Sequence, residues 1–172
     1  MTLTIPDITP EMGNLDAALA YANAGWYLVP VNTNHPDPTK RKSPGSVVGG
    51  DWPALSSRDP RQITAWFAGT DYGIALHCGR SGAVVLDVDA YDNVPDEVLA
   101  AIETTDCPYQ STRPDQPGRG HYLLANTTGR RISNSLGKLA TTPKWGEVRG
   151  ANGVIIAAPS VHPEAGGSYR WQ

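Results

Sequence analysis

Cysteine is scarce in this chain, with only Cys78 and Cys107 among 172 residues. Two thiols cannot build the disulfide framework of a small secreted scaffold, and a chain of this length can bury a hydrophobic core without one. His77 beside Cys78 suggests at most a weak metal site, because no pair of ligands shows the short spacing of a zinc site. We therefore expect both thiols to be ordinary free cysteines.

Long apolar runs and a strong charge of one sign are also missing. No stretch approaches the roughly 20 apolar residues that span a bilayer, and residues 1–13 lack the basic and apolar regions of a secretory signal. The net charge is −3 and 18% of the residues are charged, so composition does not predict a broadly basic surface for nucleic acid. These absences predict an intracellular, cytoplasmic protein without a membrane partner.

Glycine and proline, in contrast, are abundant, with 18 and 15 residues. They separate short helical and strand-like segments, which predicts an α+β fold with a largely antiparallel sheet rather than a helical bundle. Residues 72–89 have the pattern of a β-hairpin that turns around Gly79–Gly82. We expect residues 1–13 to be a loosely held arm and residues 14–172 to form one domain.

The strand-like segment AVVLDVDAYD, residues 83–92, runs from apolar residues into carboxylates. Side chains alternate between the faces of a strand, so Asp87 and Asp89 share a face, about 6–7 Å apart at their Cα atoms. Two carboxylates this close repel each other. A divalent cation such as Mg²⁺, which prefers oxygen ligands, would offset the repulsion. Alternatively the pair simply faces solvent at the strand end, and the pair alone does not decide between these interpretations.

Two later segments carry further candidates. His121, in PGRGHYLL, stands between a glycine-rich loop and an apolar strand, where the backbone can approach a ligand closely; a lone histidine is nevertheless more often structural. Glu147 and Arg149 lie two residues apart on a strand-like segment and so share a face. They form either a plain ion pair or a third metal-binding acid beside a phosphate-binding arginine.

The order of these segments is similar to that of a known family. GIALHCGRSGAVVLDVD, the glycine-rich histidine segment, and EVRGANGVIIAAPSVHPEAGGSYRW together resemble the N-terminal domain of bifunctional DNA primase/polymerases, in the archaeo-eukaryotic primase superfamily. The upstream segments ALAYANAGWYLVPV and RDPRQITAWF also match, so the resemblance covers roughly residues 15–171. It implies a catalytic half built on a modified RNA-recognition-motif-like sheet and a smaller N-terminal α/β unit.

The resemblance also implies template-directed transfer of nucleotides from NTPs or dNTPs on a single-stranded DNA template, with two Mg²⁺ or Mn²⁺ ions. Asp87, Asp89 and Glu147 match the metal-binding catalytic acids of the family. His121 matches the histidine that contacts the phosphates of the incoming nucleotide. Arg149 matches the basic residue that follows the third acid.

The chain departs from the family pattern in two motifs. Glu147 stands where the family more often has aspartate, and the second motif lacks its usual serine, which makes Arg119 a candidate for the missing phosphate contact. Four basic residues in loop-like segments are candidates for contacts to template phosphates, or else simply solvated charges: Lys40, Lys42, Arg130 and Arg131.

Two other functions stay open at this point. One is a non-catalytic nucleic-acid-binding module, and the other is a glycosyltransferase that uses an Asp-x-Asp pair to hold Mn²⁺ and a nucleotide diphosphate. The glycosyltransferase would require a parallel β-α-β sheet, which the sequence pattern does not predict. The family resemblance further implies a fragment of a plasmid- or phage-type replication protein, with a helicase domain or a separate helicase as partner.

Overall fold

The computed structural model describes residues 3–135 and 144–172, and every element named below lies in these ranges. The helices are α1 (Asn14–Asn23), α2 (Gly45–Val48), α3 (Trp52–Leu55), α4 (Pro60–Phe67) and α5 (Asp96–Thr104). The strands are β1 (Leu28–Val31), β2 (Gly73–His77), β3 (Ala83–Val88), β4 (Tyr109–Ser111), β5 (Gly120–Ala125), β6 (Gly146–Arg149), β7 (Val154–Ala157) and β8 (Arg170–Trp171). None of the described helices is both long and apolar enough to cross a membrane.

The first sheet has three antiparallel strands in the order β1-β2-β7. On one face, Leu28 and Ile74 join the largest hydrophobic cluster together with residues of α1 and α4. On the other face, Val29 and Ile156 pack with Tyr169 and with residues of α2 and α3. Because both faces are covered, every residue of β1 and β2 is buried, as their continuous apolar character indicates.

The second sheet has five antiparallel strands in the order β6-β3-β5-β4-β8. Leu86 and Val88 of its interior strand β3 pack with residues of α5. Ala83 and Val85, on the opposite face of β3, join the cluster that contains the first sheet. The two antiparallel sheets and their flanking helices confirm the predicted α+β class.

The β-hairpin predicted for residues 72–89 is wrong. β2 pairs with β1 and β7, whereas β3 pairs with β5 and β6, so the two consecutive strands belong to different sheets. A 3₁₀ turn, Gly79–Ser81, carries the chain between them. This helical turn lacks the two-residue geometry that keeps hairpin strands paired, and a β-carbon at Gly79 would overlap the backbone of Ala151. The glycine therefore permits close packing on the β6–β7 connection rather than a hairpin.

The N-terminal segment is held more firmly than expected in the part that the structure describes; its first two residues lie outside that part. Leu3, Ile5 and Ile8 pack against the largest hydrophobic cluster. Trp26 Nε1 donates to the carbonyl oxygen of Thr4 at 2.8 Å. These apolar residues gain free energy by leaving water, which ties the segment to α1 and the first sheet.

Candidate active-site cleft

Four polar side chains form one row across the second sheet. Asp87 on β3 is paired in register with Glu147 on β6 and with His121 on β5, and His121 is paired with Gln110 on β4. Directly paired residues of antiparallel strands present their side chains on the same face. The sheet order therefore brings residues from four separate sequence segments side by side.

The two acids at one end of this row share the single positive charge of Arg149. Its Nη2 lies 2.8 Å from Glu147 Oε1 and 3.1 Å from Asp87 Oδ2. The side chains of Asp87 and Glu147 are only 18% and 22% exposed, so the shared cation offsets a repulsion that water would screen poorly. The ion pair that was one interpretation of Glu147 and Arg149 is present, and it includes Asp87.

His121 presents a hydrogen-bond donor to the acids. The amide of Gln110 is oriented by the main chain around β7, since its Nε2 donates to Ile156 O at 2.9 Å and its Oε1 accepts from Ala158 N at 2.7 Å. The second Nε2 proton is directed at His121 Nδ1, 2.8 Å away. Nδ1 is therefore the acceptor, and the ring proton lies on Nε2, which is 3.5 Å from Asp87 Oδ1. Burial lowers the pKa of His121, which favours this neutral ring.

Asp89 lies just beyond the end of β3, at the rim of the site. Its side chain is 59% exposed, and its Oδ1 is 3.1 Å from Arg119 Nη2. Arg119 Nη1 also donates to Gln116 Oε1 at 2.8 Å. The arginine that the sequence suggested for phosphate binding thus stands beside an acid at the mouth of the site.

These side chains line a cleft of ≈ 300 Å³ that also contacts β7. The sequence did not single out Arg113 or Glu164, which reach the cleft from the segment after β4 and from the segment before β8, and it assigned no role to His162. Arg113 lies in the same glycine- and proline-rich stretch as His121, but no spacing rule connects the two. Only the fold brings these residues to the acids.

The three predicted metal ligands have the right chemistry but are not arranged as a metal site. In residues 3–135 and 144–172, no group of three or more His, Cys, Asp or Glu side chains is placed to hold a metal ion. Arg149 is bound to Asp87 and Glu147, and Arg119 is bound to Asp89. Oxygen donors suit Mg²⁺ and Mn²⁺, and the guanidinium of Arg149 marks a position where two carboxylates already hold one cation. The three carboxylates therefore suit a divalent metal by their chemistry, but in the described residues they contact guanidinium groups instead.

The basic residues suggested for template binding lie in different places. Lys40 is on the loop after β1, 3.9 Å from Asp37 and exposed to solvent. Arg130 and Arg131 are exposed in the segment after β5. Lys42 instead lines the cleft, which brings it close to the nucleotide-binding candidates.

The histidine next to Cys78 has a structural role. His77 Nδ1 is 2.8 Å from Ser56 Oγ, and its Nε2 is 2.9 Å from Ala151 O. Cys78 is buried in the largest hydrophobic cluster, and both it and Cys107 are free thiols, as expected. Burial and local hydrogen bonds account for these residues.

Comparison with known proteins supports the family resemblance that the order of the motifs suggests. No curated protein and no solved structure matches the chain. A family model does: the model described as "Bifunctional DNA primase/polymerase, N-terminal" matches residues 18–172. That range contains the whole cross-strand row and the residues around the cleft. The chain therefore belongs to the Prim-Pol family, the N-terminal domains of bifunctional DNA primase/polymerases.

Proposed function

We propose that this protein is a template-directed nucleotidyltransferase, a DNA primase/polymerase that adds nucleotides from NTPs or dNTPs to a 3′-hydroxyl. Family membership supports this activity class. The observation that carries the proposal is the row across the second sheet, where Glu147, Asp87 and His121 meet in one cleft. These residues are the ones that match the three motifs of the family.

Asp87, Asp89 and Glu147 are the proposed catalytic acids. Two Mg²⁺ or Mn²⁺ ions held by them would activate the 3′-hydroxyl and stabilise the charge on the departing pyrophosphate. Asp87 stands between Glu147 and His121 in the sheet. It therefore adjoins a second proposed catalytic acid on one side and a proposed phosphate ligand on the other. Transfer at phosphorus asks little covalent chemistry of the protein, and positioning with charge stabilisation accounts for most of the rate.

His121, Arg149 and Arg119 are the proposed phosphate ligands. His121 Nε2 carries the proton that can be donated to a phosphate oxygen, because Gln110 occupies Nδ1. The planar guanidinium of Arg149 suits a phosphate as well as it suits the carboxylates that it now contacts. Arg119 offers the same chemistry at the mouth of the cleft.

We further propose that residues 14–172 form the catalytic domain of a plasmid- or phage-type replication protein that acts on single-stranded DNA with a helicase. Exposed Lys40, Arg130 and Arg131 would contact template phosphates. The chain order β3, α5, β4, β5, β6, with β3 and β6 adjacent in the sheet, supports an RNA-recognition-motif-like catalytic sheet.

Incorporation of labelled dNTPs and NTPs on primed and unprimed single-stranded templates tests the proposal. We expect product on the primed template with Mg²⁺ or Mn²⁺ and no product after chelation with EDTA. Product on the unprimed template would add priming to polymerisation. Wild-type protein that neither binds nucleotides nor gives product would overturn the proposal.

Asp87→Asn is expected to lower incorporation by about 100-fold or more, the scale on which loss of one electrostatic group in an active site acts. The matched control is Asp71→Asn, which neutralises an exposed acid outside the cleft and should retain wild-type activity. Thermal unfolding of both variants checks that the fold is kept. Full activity of a folded Asp87→Asn variant would contradict the assigned role.

A non-catalytic nucleic-acid-binding module is the competing function, and the same assay separates it. It predicts binding of single-stranded DNA without metal-dependent product in any arm. The glycosyltransferase alternative requires a parallel β-α-β sheet, whereas the strand pairs of both described sheets are antiparallel.

A further inference from the structure

Arg113 is a largely buried cation with little countercharge. Its side chain is 16% exposed, and within the described ranges its carboxylate partner is Glu164, at 3.5 Å from Nη2. Its Nη1 lies 2.9 Å and 2.8 Å from the two ring nitrogens of His162. Burial, and then the charges of Lys42 and Arg113, lower the pKa of His162 to about 4, so the ring stays neutral and balances no charge. A buried cation paired this weakly is suited to an anionic ligand.

The carboxylate of Glu164 lies beside both Lys42 and Arg113 but is bound to them only weakly. Its Oε1 is 3.3 Å from Lys42 Nζ, and the two side chains are 61% and 43% exposed. The main-chain nitrogens of Glu164 and Ala165 both donate to His162 Nδ1 at 3.1 Å, which holds the carboxylate near the two cations. Exposed ion pairs of this kind are weak, so another anion can replace the carboxylate readily.

The net charge of the side chains changes sign from one end of the cleft to the other. Glu147 and Asp87 stand on β6 and β3, His121 stands on the next strand β5, and Arg113 follows the strand after that, β4. A nucleoside triphosphate whose α-phosphate lies beside Asp87 would extend its remaining phosphates past His121, toward Arg113 and Lys42. Arg149 offsets only one of the two acids, and Glu164 offsets only one of the two cations, so the cleft has a net negative end and a net positive end.

We propose that Lys42 and Arg113 bind the terminal phosphates of a nucleoside triphosphate, and that the Glu164 carboxylate occupies this position in the nucleotide-free protein. The substrate then has to displace Glu164, which lowers its apparent affinity. The identity of the ligand rests on the proposed function, whereas the competition between a carboxylate and a polyphosphate does not. Lys42 thereby becomes a nucleotide-binding residue rather than a template-binding one.

Isothermal titration calorimetry with inorganic tripolyphosphate, dATP and dAMP, at one ionic strength, tests this arrangement. Glu164→Gln removes the competing charge and is expected to tighten tripolyphosphate and dATP binding by about three- to tenfold. Binding of dAMP, which lacks the terminal phosphates, should not change. Glu103→Gln, at an exposed position of α5 away from the cleft, removes the same charge and should bind like the wild type.

Variants of Arg113 and Lys42 are expected to weaken polyphosphate binding, the opposite of the change expected for Glu164→Gln. Arg113→Gln is expected to weaken tripolyphosphate binding by about tenfold or more, because a charge-assisted contact in a largely buried position is lost. Lys42→Gln should weaken it by about threefold, and this exposed residue keeps the test valid should the Arg113 variant not fold. In the double variant with Glu164→Gln, the loss at Lys42 should cancel much of the gain.

Two outcomes separate this inference from the proposed function. Wild-type tripolyphosphate affinity in both Glu164→Gln and Lys42→Gln would overturn the inference, even where labelled nucleotides are incorporated. Expected shifts in polyphosphate binding, without any incorporation, would support the subsite and contradict the proposed function.

Discussion

Gln110 connects the row across the second sheet to the strand that borders the cleft. β7 is an edge strand of the first sheet, and the side chain of Gln110 satisfies Ile156 O and Ala158 N on its open side. The same buried amide directs its remaining proton at His121 Nδ1. One side chain therefore joins the two sheets and determines which nitrogen of His121 can donate to a ligand.

Gln110→Leu is expected to lower the free energy of unfolding by about 2–4 kcal/mol, because it leaves buried main-chain groups without a partner. Urea denaturation measures the change. Gln62→Leu, at an exposed position of α4, is the matched control and should change stability by less than about 0.5 kcal/mol. Wild-type stability of Gln110→Leu would show that the amide does not join the sheets.

Single-residue candidates could be predicted from the sequence only where a motif marks them. His121 follows a glycine-rich loop, and the family resemblance assigns it to the nucleotide phosphates. Gln110 carries no such mark, because its contact with His121 depends on the register of β4 against β5. Register is a property of the assembled sheet, and a short segment such as YQST does not specify it.

The connection between β2 and β3 determines how the two sheets meet. A hairpin over these strands would place them in one sheet, but the 3₁₀ turn sends β3 into the second sheet. The face of β3 that carries Asp87 consequently packs, through Ala83 and Val85, against the first sheet. Asp87 thus lies at the boundary between the buried packing of the two sheets and the open cleft.

Gly79→Ala is expected to lower the free energy of unfolding by about 1–3 kcal/mol, because the new β-carbon would overlap the Ala151 backbone and force the turn to move. Thermal and urea unfolding report the change. Gly50→Ala is the control, since a β-carbon at Gly50 meets nothing within 4 Å and its stability should stay close to the wild type. A stable Gly79→Ala protein would mean that this turn tolerates a different path between the sheets.

Buried neutral histidines make the stability of the whole molecule depend on pH. Burial lowers the pKa of His77, and it lowers the pKa of His162 to about 4. Lys42 and Arg113 act on His162 in the same direction as burial, and Glu164 opposes them. In the unfolded chain both rings take up protons near pH 6.5. Below that pH the unfolded state binds protons that the folded state excludes, so stability falls as the pH falls.

We expect the free energy of unfolding to decrease between pH 7 and pH 5, with a contribution from His162 on the order of 1 kcal/mol, reduced by water in the cleft. Urea denaturation at pH 7, 6 and 5 measures the slope. His162→Asn keeps a hydrogen-bond acceptor near Nδ1 but cannot be protonated, so its slope should be shallower. An identical slope in this variant would exclude His162 as a cause.

The sequence by itself determined the α+β class, the family and the candidates Asp87, His121 and Glu147. Turn residues, apolar alternation and the linear order of motifs are properties of the chain itself. They can be recognised without knowing how the chain packs. Only the tertiary structure decided that β2 and β3 separate, and that Arg113 and Glu164 share a cleft with the acids. These outcomes depend on strand register and on how two sheets pack, which no local pattern specifies.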